Sequence, residues 1–145
     1  MSDERIYLDH AATTPLAPAV LEAMRPFFVE GGYNPSGLHD ESRAARDALE
    51  DARRRVAAVL GCEPGEVVFT GSGSEGANLA IKGAADGTGR AGRDRVVVTA
   101  IEHQAVLGAA EYLRRYRDFK VDLAGVDVNG VVDREGLAEL LGTDV

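Results

Sequence analysis

The segment Thr70-Gly71-Ser72-Gly73-Ser74-Glu75 joins an apolar stretch to a run of helical periodicity. Small residues in such a junction leave backbone N–H groups exposed, and the first turn of a helix carries about half a positive charge. Because the hydroxyls of Ser72 and Ser74 can add hydrogen bonds, the segment has the chemistry of a phosphate site. It also fits an ordinary turn in which Ser72 or Ser74 caps the helix, and both interpretations stay open here.

A second junction, Val98-Thr99-Ala100-Ile101-Glu102-His103, places an imidazole at the start of a predicted helix. In a parallel α/β sheet, ligands gather beyond the carboxyl ends of the strands, so the two junctions are expected to open on one crevice. An imidazole in that place could stack on a flat cofactor or move protons. The alternative for His103 is a hydrogen-bonded structural histidine, which is the commoner case for a lone histidine after a strand.

The elements that must position these junctions alternate along the chain. Apolar spacing predicts one helix from Pro18 to the Gly31-Gly32 pair and a longer one from Ser42 to Leu60, ended by Gly61. Ile6-Tyr7-Leu8 is a short β-prone segment. Further on, the pattern predicts three strands and three helices in alternation, namely strands Val67–Thr70, Arg95–Thr99 and Lys120–Ala124 and helices Ser74–Ala85, His103–Arg117 and Asp133–Leu141. This order predicts an α/β fold, a mostly parallel sheet with flanking helices.

Composition excludes several classes of protein. The 145 residues carry a net charge of −8, which is the wrong sign for binding nucleic acid or an anionic membrane surface. The single cysteine, Cys62, excludes an internal disulfide framework. No apolar run approaches the roughly 20 residues needed to cross a bilayer, and Met1 to Leu8 lacks the pattern of a signal peptide. A cytoplasmic location is therefore expected.

Five segments, in order and in spacing, resemble the cysteine desulfurase family of class V aminotransferases. They are Tyr7-Leu8-Asp9-His10-Ala11-Ala12-Thr13-Thr14-Pro15, Asn34-Pro35-Ser36-Gly37-Leu38-His39, Thr70 to Glu75 with Asn78-Leu79-Ala80-Ile81-Lys82-Gly83, Glu102-His103-Gln104-Ala105-Val106-Leu107, and Asn129-Gly130-Val131-Val132-Asp133. Together they extend over nearly the whole chain.

The resemblance implies the large domain of a PLP-dependent transferase fold, similar to aspartate aminotransferase. Residues 1–15 would be an N-terminal arm, and residues 16–145 the N-terminal part of that domain. The implied cofactor is pyridoxal 5'-phosphate, with Gly73 and Ser74 at its phosphate. His103 would stack on its ring and assist proton transfer, so it would both bind the cofactor and take part in catalysis. Residues 9–14 and 34–39 would lie near the substrate pocket, and no metal site is implied.

The activity implied by the resemblance is removal of sulfur from L-cysteine. The products would be L-alanine and an enzyme-bound persulfide, with the sulfur going to an acceptor or scaffold protein for iron–sulfur clusters or thiolated cofactors. A homodimer or a complementing chain is expected. Two alternatives stay open. One is another class V PLP enzyme, such as a selenocysteine lyase or an aminotransferase. The other is a non-catalytic interaction module that pairs with a complementary or full-length chain.

The sequence departs from the family pattern in two respects. The turn reads Gly71-Ser72-Gly73-Ser74 where the family usually has Ser-Gly-Ala-Thr, which keeps small residues in place. The family's Schiff-base lysine, the Asp partner of its pyridinium nitrogen, its substrate-carboxylate arginine and its persulfide cysteine would all lie beyond Val145. Lys82, Lys120 and Cys62 are not expected to replace them. The resemblance therefore predicts an incomplete portion of the enzyme with negligible turnover by itself.

Overall fold

The structure is a computed structural model that describes residues 6–88 and 92–145. The chain divides into two compact units, one ending at Val67 and the other spanning Val68–Val145. Within the described residues, no helix combines the length and the apolar character that crossing a membrane requires.

The unit that ends at Val67 contains two helices, α1 (Pro18–Val29) and α2 (Asp40–Leu60), and a short 3-10 turn at Pro64–Glu66. Both helices confirm the apolar periodicity of the sequence. Helix α2 ends as predicted, because Gly61 adopts the left-handed conformation (φ 70°) and its N–H donates to the carbonyl of Ala57.

The start of α2 lies two residues before the predicted one. The imidazole of His39 accepts a hydrogen bond from the Ser42 N–H and so caps the helix. The more usual capping residues are Ser, Thr, Asp and Asn, so the sequence pattern favoured a later start. The Ser42 side chain is fully buried beneath this cap.

The second unit is an α/β arrangement, with α3 (Gly73–Thr88), β1 (Arg95–Thr99), α4 (Gln104–Tyr116), β2 (Lys120–Ala124) and α5 (Arg134–Leu140) in chain order. Strands β1 and β2 are parallel, and Arg95 to Thr99 lie opposite Lys120 to Ala124. Helix α4 is the crossover between them. The predicted fold class, a parallel sheet with flanking helices, is confirmed.

The core of this unit is built from small side chains on facing elements. Buried residues are Ala109, Ala110 and Leu113 on α4, Ala85 on α3 and Ala124 on β2. Because alanines let backbones approach closely, α3 packs directly along α4 and α4 packs on both strands. This packing fixes where each helix begins relative to the sheet.

The predicted strand at Val67–Thr70 does not form among the described residues, and neither does one at Ile6–Leu8. A strand is defined by hydrogen bonds to a neighbour, and the two strands present, β1 and β2, pair with each other. Val67 keeps extended backbone angles (φ −93°, ψ 121°), so its local conformation agrees with the pattern. The prediction of a paired strand is wrong because pairing depends on a partner that local sequence does not supply.

Candidate functional site

The turn that precedes α3 is held by three hydrogen bonds centred on Ser72. Its Oγ accepts from the Glu75 N–H at 3.1 Å, and its carbonyl accepts from the Gly76 N–H at 3.0 Å. The hydroxyl of Thr70 also donates to the Ser72 carbonyl, at 3.1 Å. Ser72 is therefore the N-cap of α3, which confirms the capping interpretation and assigns it to Ser72 rather than Ser74.

The first backbone N–H groups of α3 remain available to bind a ligand after Ser72 has capped the helix. Within the described residues, no hydrogen bond engages the N–H groups of Ser72, Gly73 and Ser74. All three residues are exposed, and a Cβ built on Gly73 would meet nothing within 4 Å. Unpaired N–H groups, an open space and the positive end of a 16-residue helix are a combination that suits an anion. The residues present therefore fit the phosphate of pyridoxal 5'-phosphate.

His103 caps the second junction. The Ala105 N–H donates to His103 Nδ1 at 3.1 Å, so the imidazole is the N-cap of α4. This contact confirms that His103 has a structural, hydrogen-bonded role. Because Nδ1 accepts, the neutral ring carries its proton on Nε2. The residue is exposed, and the turn before it is braced by a 3.0 Å hydrogen bond from Thr99 Oγ1 to Glu102 Oε1.

The two junctions lie at the same end of this unit. Asp86, near the end of α3, forms an ion pair with Arg117, which caps the end of α4, and Lys82 and Tyr112 meet about one turn earlier on each helix. The two helices therefore run side by side in the same direction. At a rise of about 1.5 Å per residue, Ser74 lies roughly 18 Å along α3 from Asp86. His103 lies roughly 21 Å along α4 from Arg117. Since α4 starts just after Thr99, both helix starts lie toward the carboxyl end of β1. That the two junctions open on one crevice stays a prediction.

The other predicted pocket residues belong to the unit that ends at Val67, and their closeness to the substrate remains a prediction. Residues 34–39 form a loop fixed to α2, where Arg43 Nη1 donates to the Leu38 carbonyl at 2.7 Å and Arg46 Nη1 to the Pro35 carbonyl at 3.0 Å. Residues 9–14 form an exposed turn, in which the Ala12 N–H donates to the Asp9 carbonyl at 3.2 Å.

Glu75 has a role at the turn that precedes α3 that was not predicted from the sequence. Its Oε2 accepts from the Gly71 N–H at 2.7 Å, which closes the turn. The signal was readable, because Ser72 and Glu75 have the spacing of a capping box, in which a serine is followed three residues later by a glutamate.

Two residues predicted to have no catalytic role each have a local structural contact. Lys120 Nζ is 3.4 Å from Asp94 Oδ2. Lys120 is the first residue of β2 and lies at the amino end of the two parallel strands, whereas Thr99 lies at their carboxyl end. Cys62 is half-buried just after α2, where its N–H donates to the Ala57 carbonyl at 3.1 Å. Among the described residues, no three His, Cys, Asp or Glu side chains are grouped closely enough to hold a metal ion.

Comparison with known proteins settles the family. The model of the family described as "Aminotransferase class-V" matches residues 6–145. The chain belongs to the class V aminotransferase family. Class V aminotransferases and their cysteine desulfurase members are PLP-dependent enzymes, in agreement with the cofactor inferred from the sequence.

Relatives of this class V chain are named cysteine desulfurases. It is 40% identical to "Cysteine desulfurase IscS" of Dictyoglomus turgidum over 96% of its own length, and 42% identical to "IscS-like cysteine desulfurase" of Mycobacterium tuberculosis over 93%. Each match covers 35% of the relative. The class V chain therefore spans about a third of the length of these curated relatives.

Solved structures agree with the family assignment. A "NifS-like protein" superimposes with a TM-score of 0.86 at 38% identity, covering 97% of this class V chain and 38% of the solved one. The structure titled "SspA in complex with cysteine" gives a TM-score of 0.82 at 35% identity, covering 95% and 39%. The arrangement of α3, α4 and the parallel strands is thus that of a known class of PLP enzymes.

Proposed function

We propose that this chain provides the phosphate-binding turn and the ring-stacking histidine of a PLP-dependent cysteine desulfurase. The enzyme would convert L-cysteine to L-alanine and pass the sulfur to one of its own cysteines as a persulfide. The observation that carries the proposal is the open start of α3, which lies at the same end of the fold as His103. The names of the relatives support the choice of substrate.

Each proposed site residue has a defined task. The N–H groups of Gly73 and Ser74, together with the Ser74 hydroxyl, would bind the phosphate at the positive end of α3. His103 would lie against the cofactor ring and handle a proton at Nε2, because Nδ1 already accepts from Ala105. When bound, the cofactor supplies an electron-accepting ring, which the protein's own side chains lack.

The wider assignment follows from the same resemblance. Residues 1–15 would form an N-terminal arm, and residues 16–145 the N-terminal part of the large domain. We expect a cytoplasmic homodimer, or a pairing with a complementing chain. Its persulfide sulfur would go to an acceptor or scaffold protein for iron–sulfur clusters or thiolated cofactors, and the name IscS among the relatives supports this role.

The test is restoration of activity in two pieces. The chain is mixed with PLP, L-cysteine and the part of the Dictyoglomus turgidum relative that it does not match, and L-alanine is measured. We expect alanine from the mixture and none from either piece. The variant His103→Ala should abolish it. Arg55→Ala should not, because Arg55 is exposed on α2 and pairs only with Asp51 in the described structure.

Three outcomes would overturn the proposal. Full activity of the His103→Ala mixture would reject the role of His103. Faster release of alanine from selenocysteine than from cysteine would favour a selenocysteine lyase. A stable complex of the two pieces that binds PLP but yields no alanine from either amino acid would favour a non-catalytic interaction module.

A further inference from the structure

We propose that Glu75 is a positioning residue of the anion site, an inference that rests on the phosphate role proposed above for the start of α3. Its side chain would do two separable things. The hydrogen bond to Gly71 would hold the turn so that the N–H groups of residues 72–74 face one open space. Its negative charge, in the same turn, would weaken the binding of the anion that those groups attract.

The contacts of Glu75 are reciprocal across the turn. Its Oε2 accepts from the Gly71 N–H at 2.7 Å, and its own N–H donates to Ser72 Oγ at 3.1 Å. A Cβ built on Gly71 would stand 3.2 Å from Glu75 Oε2. The carboxylate therefore lies directly against the backbone of Gly71, and a side chain at that position would press on it.

The other flank of the turn is fixed independently. The Thr70 hydroxyl donates to the Ser72 carbonyl at 3.1 Å, and a Cβ on Gly76 would come within 3.3 Å of Thr70 Oγ1. Glu75 and Thr70 thus restrain the turn from opposite ends. Because the N–H groups of Ser72, Gly73 and Ser74 have no partner within the described residues, loss of the Glu75 contact should free the N-terminal side of the turn.

Geometry and charge can be separated by substitution. In Glu75→Gln, the amide oxygen still accepts from Gly71, while the negative charge is gone. In Glu75→Ala, both are lost. A purely structural glutamate would give two variants that differ only in stability. A positioning residue with an opposing charge should give two variants whose anion affinities move in opposite directions.

The experiment measures inorganic phosphate binding and amide hydrogen exchange on the ¹⁵N-labelled chain. Glu75→Gln should keep the protection of the Gly71 amide and bind phosphate about threefold more tightly, since a like charge is removed. Glu75→Ala should lose that protection and bind about tenfold more weakly, because a charge-assisted hydrogen bond that orders the turn is lost. Thermal unfolding midpoints are measured alongside.

Glu66→Ala is the matched control. Glu66 Oε2 accepts from the Glu63 N–H at 2.8 Å, the same kind of contact in a different turn, so its loss should leave phosphate affinity unchanged. Unchanged Gly71 exchange in Glu75→Ala would overturn the positioning role, whether or not phosphate binds. So would equal weakening of phosphate binding in both Glu75 variants. If the wild-type chain binds no phosphate, the anion site itself is rejected.

Discussion

The ammonium group of Lys82 lies 4.3 Å above the centre of the Tyr112 ring, in a cation–π contact between α3 and α4. Lys82 lies two turns along α3 from Ser74, and the sequence's other lysine, Lys120, pairs with Asp94. Both ammonium groups therefore have structural partners. We predict that PLP followed by borohydride gives no stoichiometric adduct on either lysine, as measured by intact mass. One equivalent of adduct mapped to Lys82 would show that this chain carries its own cofactor lysine.

The cap formed by His103 predicts a measurable effect on stability. His103→Ala should lower the free energy of unfolding by about 1 kcal/mol, the usual cost of losing an N-cap. His103→Asn should recover most of that loss, because an amide oxygen can accept from the Ala105 N–H. Urea unfolding measures both variants. His10→Ala serves as the control, since His10 is exposed and makes an edge contact with Tyr7. Equal stability of the alanine variant and wild type would contradict the cap.

Strand positions could be read from the sequence because they depend on local chemistry. The predicted bounds of β1 (Arg95–Thr99) and β2 (Lys120–Ala124) match the structure. In β1, three valines and a threonine supply the β-branched residues that favour a strand. The strand predicted at Val67–Thr70 failed, because hydrogen-bonded pairing depends on distant residues. The residue pattern thus identified the extended conformation of Val67, but it could not show whether a neighbouring strand pairs with this segment.

Site residues could be identified by type but not by contact. Glycine, serine and histidine at two junctions indicated where an anion and a ring could bind. The sequence did not show that His103 Nδ1 accepts a hydrogen bond from the Ala105 N–H, or that the Glu75 carboxylate accepts one from the Gly71 N–H. An imidazole cap is uncommon. The capping-box spacing of Ser72 and Glu75 predicts a contact with the Ser72 N–H, whereas Glu75 accepts from the Gly71 N–H instead.

Acid should break one well-defined ion cluster on α4. Hydrogen bonds from Arg114, then from Arg115, lower the pKa of Glu111 from 4.5 to about 2. Because the folded pKa lies below the unfolded one, the stabilisation is complete above about pH 4.5 and is lost as the pH falls toward about 2. Carboxyl carbon NMR should give a midpoint near 2. Arg114→Ala should raise that midpoint more than Arg115→Ala, and a wild-type midpoint near 4.5 would contradict the cluster.

The central claim is that the start of α3 holds the phosphate of PLP. The most direct test is to titrate the ¹⁵N-labelled chain with pyridoxal 5'-phosphate and, separately, with pyridoxal, which lacks the phosphate. The account predicts saturable shifts of the Ser72, Gly73 and Ser74 amides with the phosphorylated ligand and not with pyridoxal. Equal shifts with both ligands, or shifts confined to other parts of the chain, would contradict it.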